Sequence, residues 1–128
     1  MGNVSYSAVV LNEQSRQKLI KKFQSIIPDD YEIIVHHLTI NLGEINPIYE
    51  KYLGLSVRLQ VNDIAMDDKV IALGVSGFGS DKKKPHITLA VNRSAGGKPF
   101  ISDNLTDWKP LKRPIYLSGI VEEVEFKE

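Results

Sequence analysis

Residues 35–42 read VHHLTINL and residues 85–92 read PHITLAVN, so the chain contains one short pattern twice. Each stretch holds a His-x-Thr triplet inside an aliphatic run that is typical of a β-strand. Successive side chains of a strand point to opposite faces, so the polar and apolar residues should separate. The predicted polar faces carry His37, Thr39 and Asn41 in the first stretch and His86, Thr88, Ala90 and Asn92 in the second. The predicted core faces carry Leu38, Ile40 and Leu42, and then Ile87, Leu89 and Val91.

The sequence around these two stretches predicts further strands and one strong helix. Asn12 is the expected cap of an amphipathic helix that Pro28 ends. The predicted helical segments are residues 13–26 and a short capped helix at 102–108, with one further turn inside the loop at 44–53. The predicted strands are residues 4–11, 31–42, 55–61, 70–75, 85–92 and 115–126. Six or seven mostly antiparallel strands with one main helix indicate the α+β class.

Composition limits the classes of protein to which the chain can belong. With 128 residues, of which 42% are hydrophobic, residues 1–128 are expected to form a single domain with its own core. The absence of cysteine excludes thiol catalysis, cysteine zinc sites and disulfides. No apolar run reaches membrane-spanning length and residues 1–6 do not resemble a signal peptide, so a cytoplasmic or nuclear location is expected, without membrane contact.

The formal net charge is zero, but the charges are unevenly distributed. Residues 82–113 contain eight Lys or Arg against only Asp103 and Asp107, a local charge of +6 around the second triplet. Such a field favours an anionic ligand. Its simpler interpretation is a solvated basic surface that binds nothing in particular.

Two histidines that face each other across a cleft can act on opposite sides of one phosphorus atom. Imidazole has an unperturbed pKa of about 6.5, so near neutral pH it can both accept and donate a proton. A threonine two residues further along each strand can donate its hydroxyl to a phosphate oxygen. The doubled pattern therefore predicts phosphate chemistry or phosphate binding.

The paired triplets, His37 with Thr39 and His86 with Thr88, resemble those of the two-histidine (2H) phosphoesterase superfamily. The resemblance covers essentially the whole chain and is greatest to the cyclic phosphodiesterase modules of tRNA ligation and RNA repair. It implies two pseudo-symmetric antiparallel lobes with outer helices around a central cleft, and these four residues as catalytic. The implied activity is a hydrolase that needs no metal or other cofactor and acts on a 2′,3′-cyclic phosphate or related nucleotide diester. The resemblance also implies His86 as the base and His37 as the acid.

The same resemblance implies a partner, and the sequence suggests which residues would contact it. The expected ligand of the monomeric protein is a nucleotide or an RNA with a cyclic phosphate end. Arg93 and Lys98 are candidates to bind its phosphates, and Tyr6 and Trp108 are candidates to stack on a base. Less favoured aromatic candidates are Phe78 and Phe100, and Arg58 and Gln60 could line the cleft if their strand face turns inward.

Two alternatives remain open at this level. A non-catalytic module that binds RNA or a nucleotide could use the same scaffold. A metal site built from His36, His37 and His86 is disfavoured, because adjacent strand residues point apart. For the same reason His36 is expected on the strand face opposite His37, partly buried and bonded to a carbonyl group.

Overall fold

A computed structural model describes residues 3–125, and this part of the chain contains seven β-strands, one α-helix and three short 3₁₀ helices. In chain order the main elements are β1 (Val4–Leu11), α1 (Glu13–Phe23), β2 (Glu32–Ile33), β3 (His37–Leu42), β4 (Ser56–Met66), β5 (Val70–Ser76), β6 (His86–Val91) and β7 (Lys109–Glu125). The 3₁₀ helices span Pro47–Tyr52, Arg93–Ala95 and Pro99–Asn104. Within residues 3–125, every helix is too short or too polar to cross a membrane.

Six of the strands close into a barrel. The order around it is β6, β3, β1, β7, β4 and β5, and a pairing between β5 and β6 completes the ring. All neighbouring strands are antiparallel, and the two-residue strand β2 adds to β6. The predicted α+β class with a mostly antiparallel sheet is therefore confirmed. In this order the motif strands β3 and β6 lie across the barrel from β4 and β7.

The main core is aliphatic. Leu38 and Ile87, the central residues of the two triplets, are fully buried in it. Around them pack residues from most strands, among them Val9, Leu59, Leu73, Leu117 and Val121. A fully buried side chain of this size contributes about 1.5–3 kcal/mol by its removal from water, so both motif strands are held by their apolar residues.

Helix α1 begins as predicted and ends three residues early. The Asn12 side chain accepts a hydrogen bond from the Ser15 amide at 2.8 Å, the expected N-cap. The buried residues Leu19 and Phe23 join the main core. After Phe23 the chain turns, and its carbonyl accepts bonds from the amides of residues 26 and 27. This turn ends the helix before Pro28 is reached.

The strand predicted for residues 31–42 is interrupted. Val35 has a φ of +41°, which separates β2 from β3 and leaves residues 34–36 outside any strand. Its side chain is fully buried, and its amide donates to the carbonyl of Thr88 at 3.0 Å. A β-branched residue rarely adopts positive φ, so the surrounding core must hold this conformation.

Each motif strand also contains a β-bulge directly after its triplet. Along β1, Ala8 pairs with Thr39 and Ser7 with Asn41, so Ile40 is the extra residue. Along β5, Ala72 pairs with Thr88 and Ile71 with Ala90, so Leu89 is the extra residue at the equivalent position. A bulge shifts the alternation of side chains by one.

These bulges make part of the predicted alternation wrong. Asn41 and Ala90 turn inward and are buried, although both were expected on the histidine face. Leu42 was expected in the core and is 77% exposed. Val91 leaves the main core for a second apolar cluster with Ala65, Val70, Ala72 and Leu105.

The remaining elements follow the prediction with shifted bounds. Strands β4 and β5 form the expected hairpin, and Asp67 accepts bonds from the amides of residues 69 and 70 in its turn. The short helix expected at 102–108 lies instead at Pro99–Asn104 and is of the 3₁₀ type. The last strand begins at Lys109, six residues earlier than predicted, because it pairs with both β1 and β4. Residue 126, its predicted end, lies outside the described residues.

Candidate active site

A cleft of about 400 Å³ opens on the outer face of β3 and β6. All four residues of the two triplets line it, namely His37, Thr39, His86 and Thr88. Strand periodicity predicted that each histidine shares a face with its threonine, and the resemblance implied that the two pairs meet in one cleft. The 3₁₀ helix Pro99–Asn104 forms part of its wall through Phe100 and Asp103.

The two triplets are related by a local twofold axis. Strands β3 and β6 are antiparallel neighbours, and Leu38 pairs with Ile87. Leu38 and Ile87 are the central residues of the two triplets, so the triplets run antiparallel to each other about this pair. The central pair points into the core while the flanking residues point into the cleft.

His37 is mostly buried, and both of its ring nitrogens have partners. Its Nε2 lies 3.1 Å from Thr39 Oγ1, and its Nδ1 lies 2.9 Å from His36 Nδ1. The Tyr6 ring stacks on the imidazole with a centroid separation of 4.6 Å. Burial, and to a lesser degree the charges of His36 and His86, lower the pKa of His37 to about 4. The imidazole is therefore neutral at physiological pH.

His86 is held differently. Its Nδ1 lies 2.8 Å from the carbonyl oxygen of Lys84, which can only accept, so this nitrogen carries a proton. Its Nε2 faces the cleft at 3.5 Å from Asp103 Oδ1. The other oxygen of Asp103 accepts from Lys82 Nζ at 2.8 Å. A protonated His86 would therefore have an acceptor for each ring nitrogen.

The hydroxyl of Thr88 is already engaged. It lies 2.9 Å from the Oγ of the buried Ser102 and 3.3 Å from the carbonyl oxygen of Pro99. These bonds tie β6 to the 3₁₀ helix that walls the cleft. A ligand oxygen would have to compete with them for the Thr88 proton. Among residues 3–125, the Thr39 hydroxyl has only His37 as its side-chain partner.

The expectation for His36 is wrong. His36 is exposed and lines the cleft beside His37, because the positive φ of Val35 turns the chain before β3 begins. His36, His37 and His86 all line this cleft, so the expectation that the three histidines cannot share one face is also wrong. Within residues 3–125, no group of three His, Asp or Glu side chains has a geometry that could hold a metal ion.

Of the four substrate-binding candidates, only Tyr6 lines the cleft. Arg93 lies outside it and pairs with Glu32 at 2.6 Å. Lys98 is exposed just before the third 3₁₀ helix. Trp108 lines a neighbouring cavity of about 700 Å³, where Lys84 Nζ lies 5.0 Å from its ring centroid.

The cleft also contains residues that sequence reasoning did not select. Lys82 and Asp103 form an ion pair there, and the exposed side chain of Leu42 also lines it. Phe100, a less favoured aromatic candidate, lines the cleft as well and is exposed. Lys82 belonged to the predicted basic segment, so its charge gave a signal. Nothing in the sequence distinguished Asp103, because the ion pair joins residues from two separate loops.

The chain matches no protein-family model, and no curated protein sequence is significantly similar to it. The function is therefore inferred from the cleft and from the residues that form it.

Proposed function

We propose that the chain is a metal-independent phosphodiesterase of the two-histidine type, which hydrolyses a 2′,3′-cyclic phosphate on a nucleotide or at an RNA end. One observation carries the proposal: both His-x-Thr triplets line a single cleft and are related by a local twofold axis. Such a pair presents two proton-transfer groups to one phosphorus atom, which in-line displacement requires.

The order of strands supports the two pseudo-symmetric lobes that the resemblance implies. In the ring, β1 follows β3 on one side and β5 follows β6 on the other, and β7 and β4 come next, so each strand of one half has a counterpart in the other. The equivalent bulges at Ile40 and Leu89 obey this relation. In this proposal the lobes are β7-β1-β3 and β4-β5-β6, and only the first carries an α-helix.

The protonation states and hydrogen bonds of the two histidines support His37 as the base and His86 as the acid. This is the reverse of what the resemblance implied. A His37 with a pKa of about 4 is neutral and can accept a proton. In the tautomer whose Nδ1–H donates to His36, the lone pair of His37 is on Nε2, beside Thr39. His86 already carries a proton on Nδ1, and its Nε2 lies 3.5 Å from Asp103 Oδ1, which can accept a hydrogen bond from that nitrogen.

In the proposed reaction, water attacks phosphorus while His37 takes one of its protons at Nε2. The bond from phosphorus to one ribose oxygen breaks, and that oxygen receives the Nε2 proton of His86. The products are a phosphate monoester and a free hydroxyl group. Thr39 and Lys82 both line the cleft. The Thr39 hydroxyl can donate to the negative charge that develops on the phosphate oxygens, and the Lys82 ammonium can bind the phosphate in both the ground state and the transition state.

The cleft can also hold the nucleoside part of this substrate. Phe100 is 65% exposed and Leu42 is 77% exposed, yet both lie at the cleft. Exposed aromatic and aliphatic groups beside a phosphate site suit the flat face of a base, and stacking on an aromatic ring contributes about 1–3 kcal/mol per base.

A panel of substrates tests the proposal in the presence of EDTA. It comprises 2′,3′-cyclic nucleotides, RNA with a cyclic phosphate end, ADP-ribose cyclic phosphate and 2′-5′ oligonucleotides. His37→Ala and His86→Ala should each lower kcat by about two to four powers of ten. His36→Gln can still accept the His37 Nδ1 proton and should retain most of the activity, and Lys51→Gln, which changes an exposed residue outside the cleft, is the control. Inactivity across the whole panel would contradict the proposal, and activity lost on addition of EDTA would point to a metal.

A non-catalytic nucleotide-binding module is the second candidate, and one observation favours it. The Thr88 hydroxyl is committed to Ser102 and Pro99, so one of the two expected phosphate donors is occupied. Calorimetry with cyclic and open-chain nucleotides distinguishes the two functions. A pure binding module would bind both without turnover, and its affinity would change little in His86→Ala.

A further inference from the structure

A second positively charged surface lies on α1 and on β7 and β4, the strands across the barrel from the motif strands. Lys18, Lys21 and Lys22 of α1 line a cavity of about 610 Å³ together with residues 114–116 of β7. A smaller cavity of about 260 Å³, lined by Arg58 of β4, has the residue Tyr116 in common with it. We call this combined surface the α1–β7 groove. It shares no lining residue with the histidine cleft.

The α1–β7 groove contains several positively charged side chains and, in the described part of the chain, no carboxylate that would neutralise them. Within residues 3–125, no carboxylate lines either of its cavities, and none of its four cationic side chains forms an ion pair. Lys21 and Lys22 lie three and four residues after Lys18, so the three ammonium groups crowd one helix face and repel one another. A bound polyanion would relieve that repulsion. The protein has no net charge, so this patch is a local feature and not a consequence of a basic chain.

The groove also presents a flat aromatic surface. The Tyr116 ring is 42% exposed, and the guanidinium of Arg58 lies over it at 4.3 Å from the ring centroid. Lys18 Nζ donates to the Tyr116 carbonyl oxygen at 2.8 Å, which fixes this lysine across the floor of the groove. Cations that follow a backbone, together with an aromatic platform, are the combination that binds single-stranded nucleic acid.

We infer that the α1–β7 groove binds single-stranded nucleic acid through its phosphate backbone, with one base stacked on the platform that Arg58 and Tyr116 form together. An acidic peptide or an anionic membrane would satisfy the lysines but would leave the Arg58–Tyr116 platform unused. The site is separate from the cleft, so it does not depend on the catalytic proposal. Together, the two sites would distinguish an RNA chain from a free nucleotide.

Fluorescence anisotropy with a labelled single-stranded RNA of about twelve nucleotides tests this inference as a function of salt concentration. Each backbone contact contributes about −0.7 to the slope of log K against log salt, so four contacts predict a slope of about −3. Lys21→Gln with Lys22→Gln should reduce the slope by about 1.4 and weaken binding between about tenfold and a hundredfold at low salt. The matched control pair, Lys51→Gln with Lys109→Gln, removes two exposed lysines elsewhere and should change neither quantity.

Three further measurements separate RNA binding in the α1–β7 groove from binding in the histidine cleft and from a general affinity for polyanions. Tyr116→Leu should weaken binding by about tenfold without changing the salt slope, because it removes stacking and no charge. RNA binding should persist in the double variant His37→Ala, His86→Ala and in the presence of excess cyclic mononucleotide. The test of RNA binding in the α1–β7 groove is therefore independent of the test of catalysis in the histidine cleft. Equal losses in both lysine pairs, displacement of RNA by the mononucleotide, or tighter binding to phosphatidylserine vesicles or polyglutamate than to RNA would each overturn it.

Discussion

The lowered pKa of His37 predicts a specific dependence of stability on pH. The pKa of this histidine is about 4 in the folded chain and about 6.5 in the unfolded chain. Between these values the unfolded chain binds the proton and the folded chain does not. The free energy of unfolding therefore rises with pH through this window and falls as the pH drops from about 6.5 towards 4. Below pH 4 both states are protonated, and His37 contributes no further change.

The magnitude follows from the width of the window. Each unit of pKa difference corresponds to 1.36 kcal/mol, so the full window corresponds to about 3 kcal/mol. Domains of this size have total stabilities of about 5–15 kcal/mol, which makes the effect large enough to measure. Removing the charge of His36 removes a secondary cause of the shift, while burial, the main cause, stays.

Urea unfolding at a series of pH values between 7 and 4 provides the assay. Titrating carboxylates contribute equally to the wild type and to His37→Gln, so the difference between the two proteins isolates His37. That difference should change by about 3 kcal/mol across the window. The chain contains only three histidines, so NMR can follow the Hε1 signal of each one separately. A difference that does not vary with pH, or a His37 signal that titrates near 6.5, would refute the reasoning.

Further predictions concern the cleft and one glycine. Thr39→Ala should lower kcat/KM by about a hundredfold with unchanged thermal stability, whereas Thr88→Ala should also lower Tm because it loses bonds to the 3₁₀ helix. Lys82→Gln should raise KM for a cyclic nucleotide more than it lowers kcat. Equal factors of change in KM and kcat would contradict a role of Lys82 in ground-state binding. Gly74→Ala should destabilise the fold by about 1–3 kcal/mol in urea unfolding, because its Cβ would meet the Asp63 carboxylate; wild-type stability would contradict that contact.

The fold class was predictable because its strongest signals are local. The alternation in residues 55–61, the turn at Asp67 and the cap at Asn12 each depend on residues only a few positions apart. The sequence did not predict closure of the barrel. Closure depends on the pairing of β5 with β6 and of β7 with β4, which is set by residues far apart in the chain.

The candidate site was predictable only where the strand period holds. His37 and Thr39, and likewise His86 and Thr88, precede the bulges, so two-residue periodicity sets them correctly on one face. Beyond the bulges the same rule fails, and the exposure of Leu42 is the clearest result. A bulge is fixed by the register of the neighbouring strand, which no property of the bulged residue reveals.

The histidine that the sequence misplaced links backbone strain to the proposed chemistry. Burial of the Val35 side chain and the bond from its amide to Thr88 hold Val35 at positive φ, at a cost of about 1–3 kcal/mol. That conformation brings His36 beside His37, with their Nδ1 atoms 2.9 Å apart. Only one of two nitrogens in a hydrogen bond can carry the proton, so protonating both would break this bond and add repulsion. The strained turn therefore acts with burial to keep His37 neutral, which is the state that a general base requires.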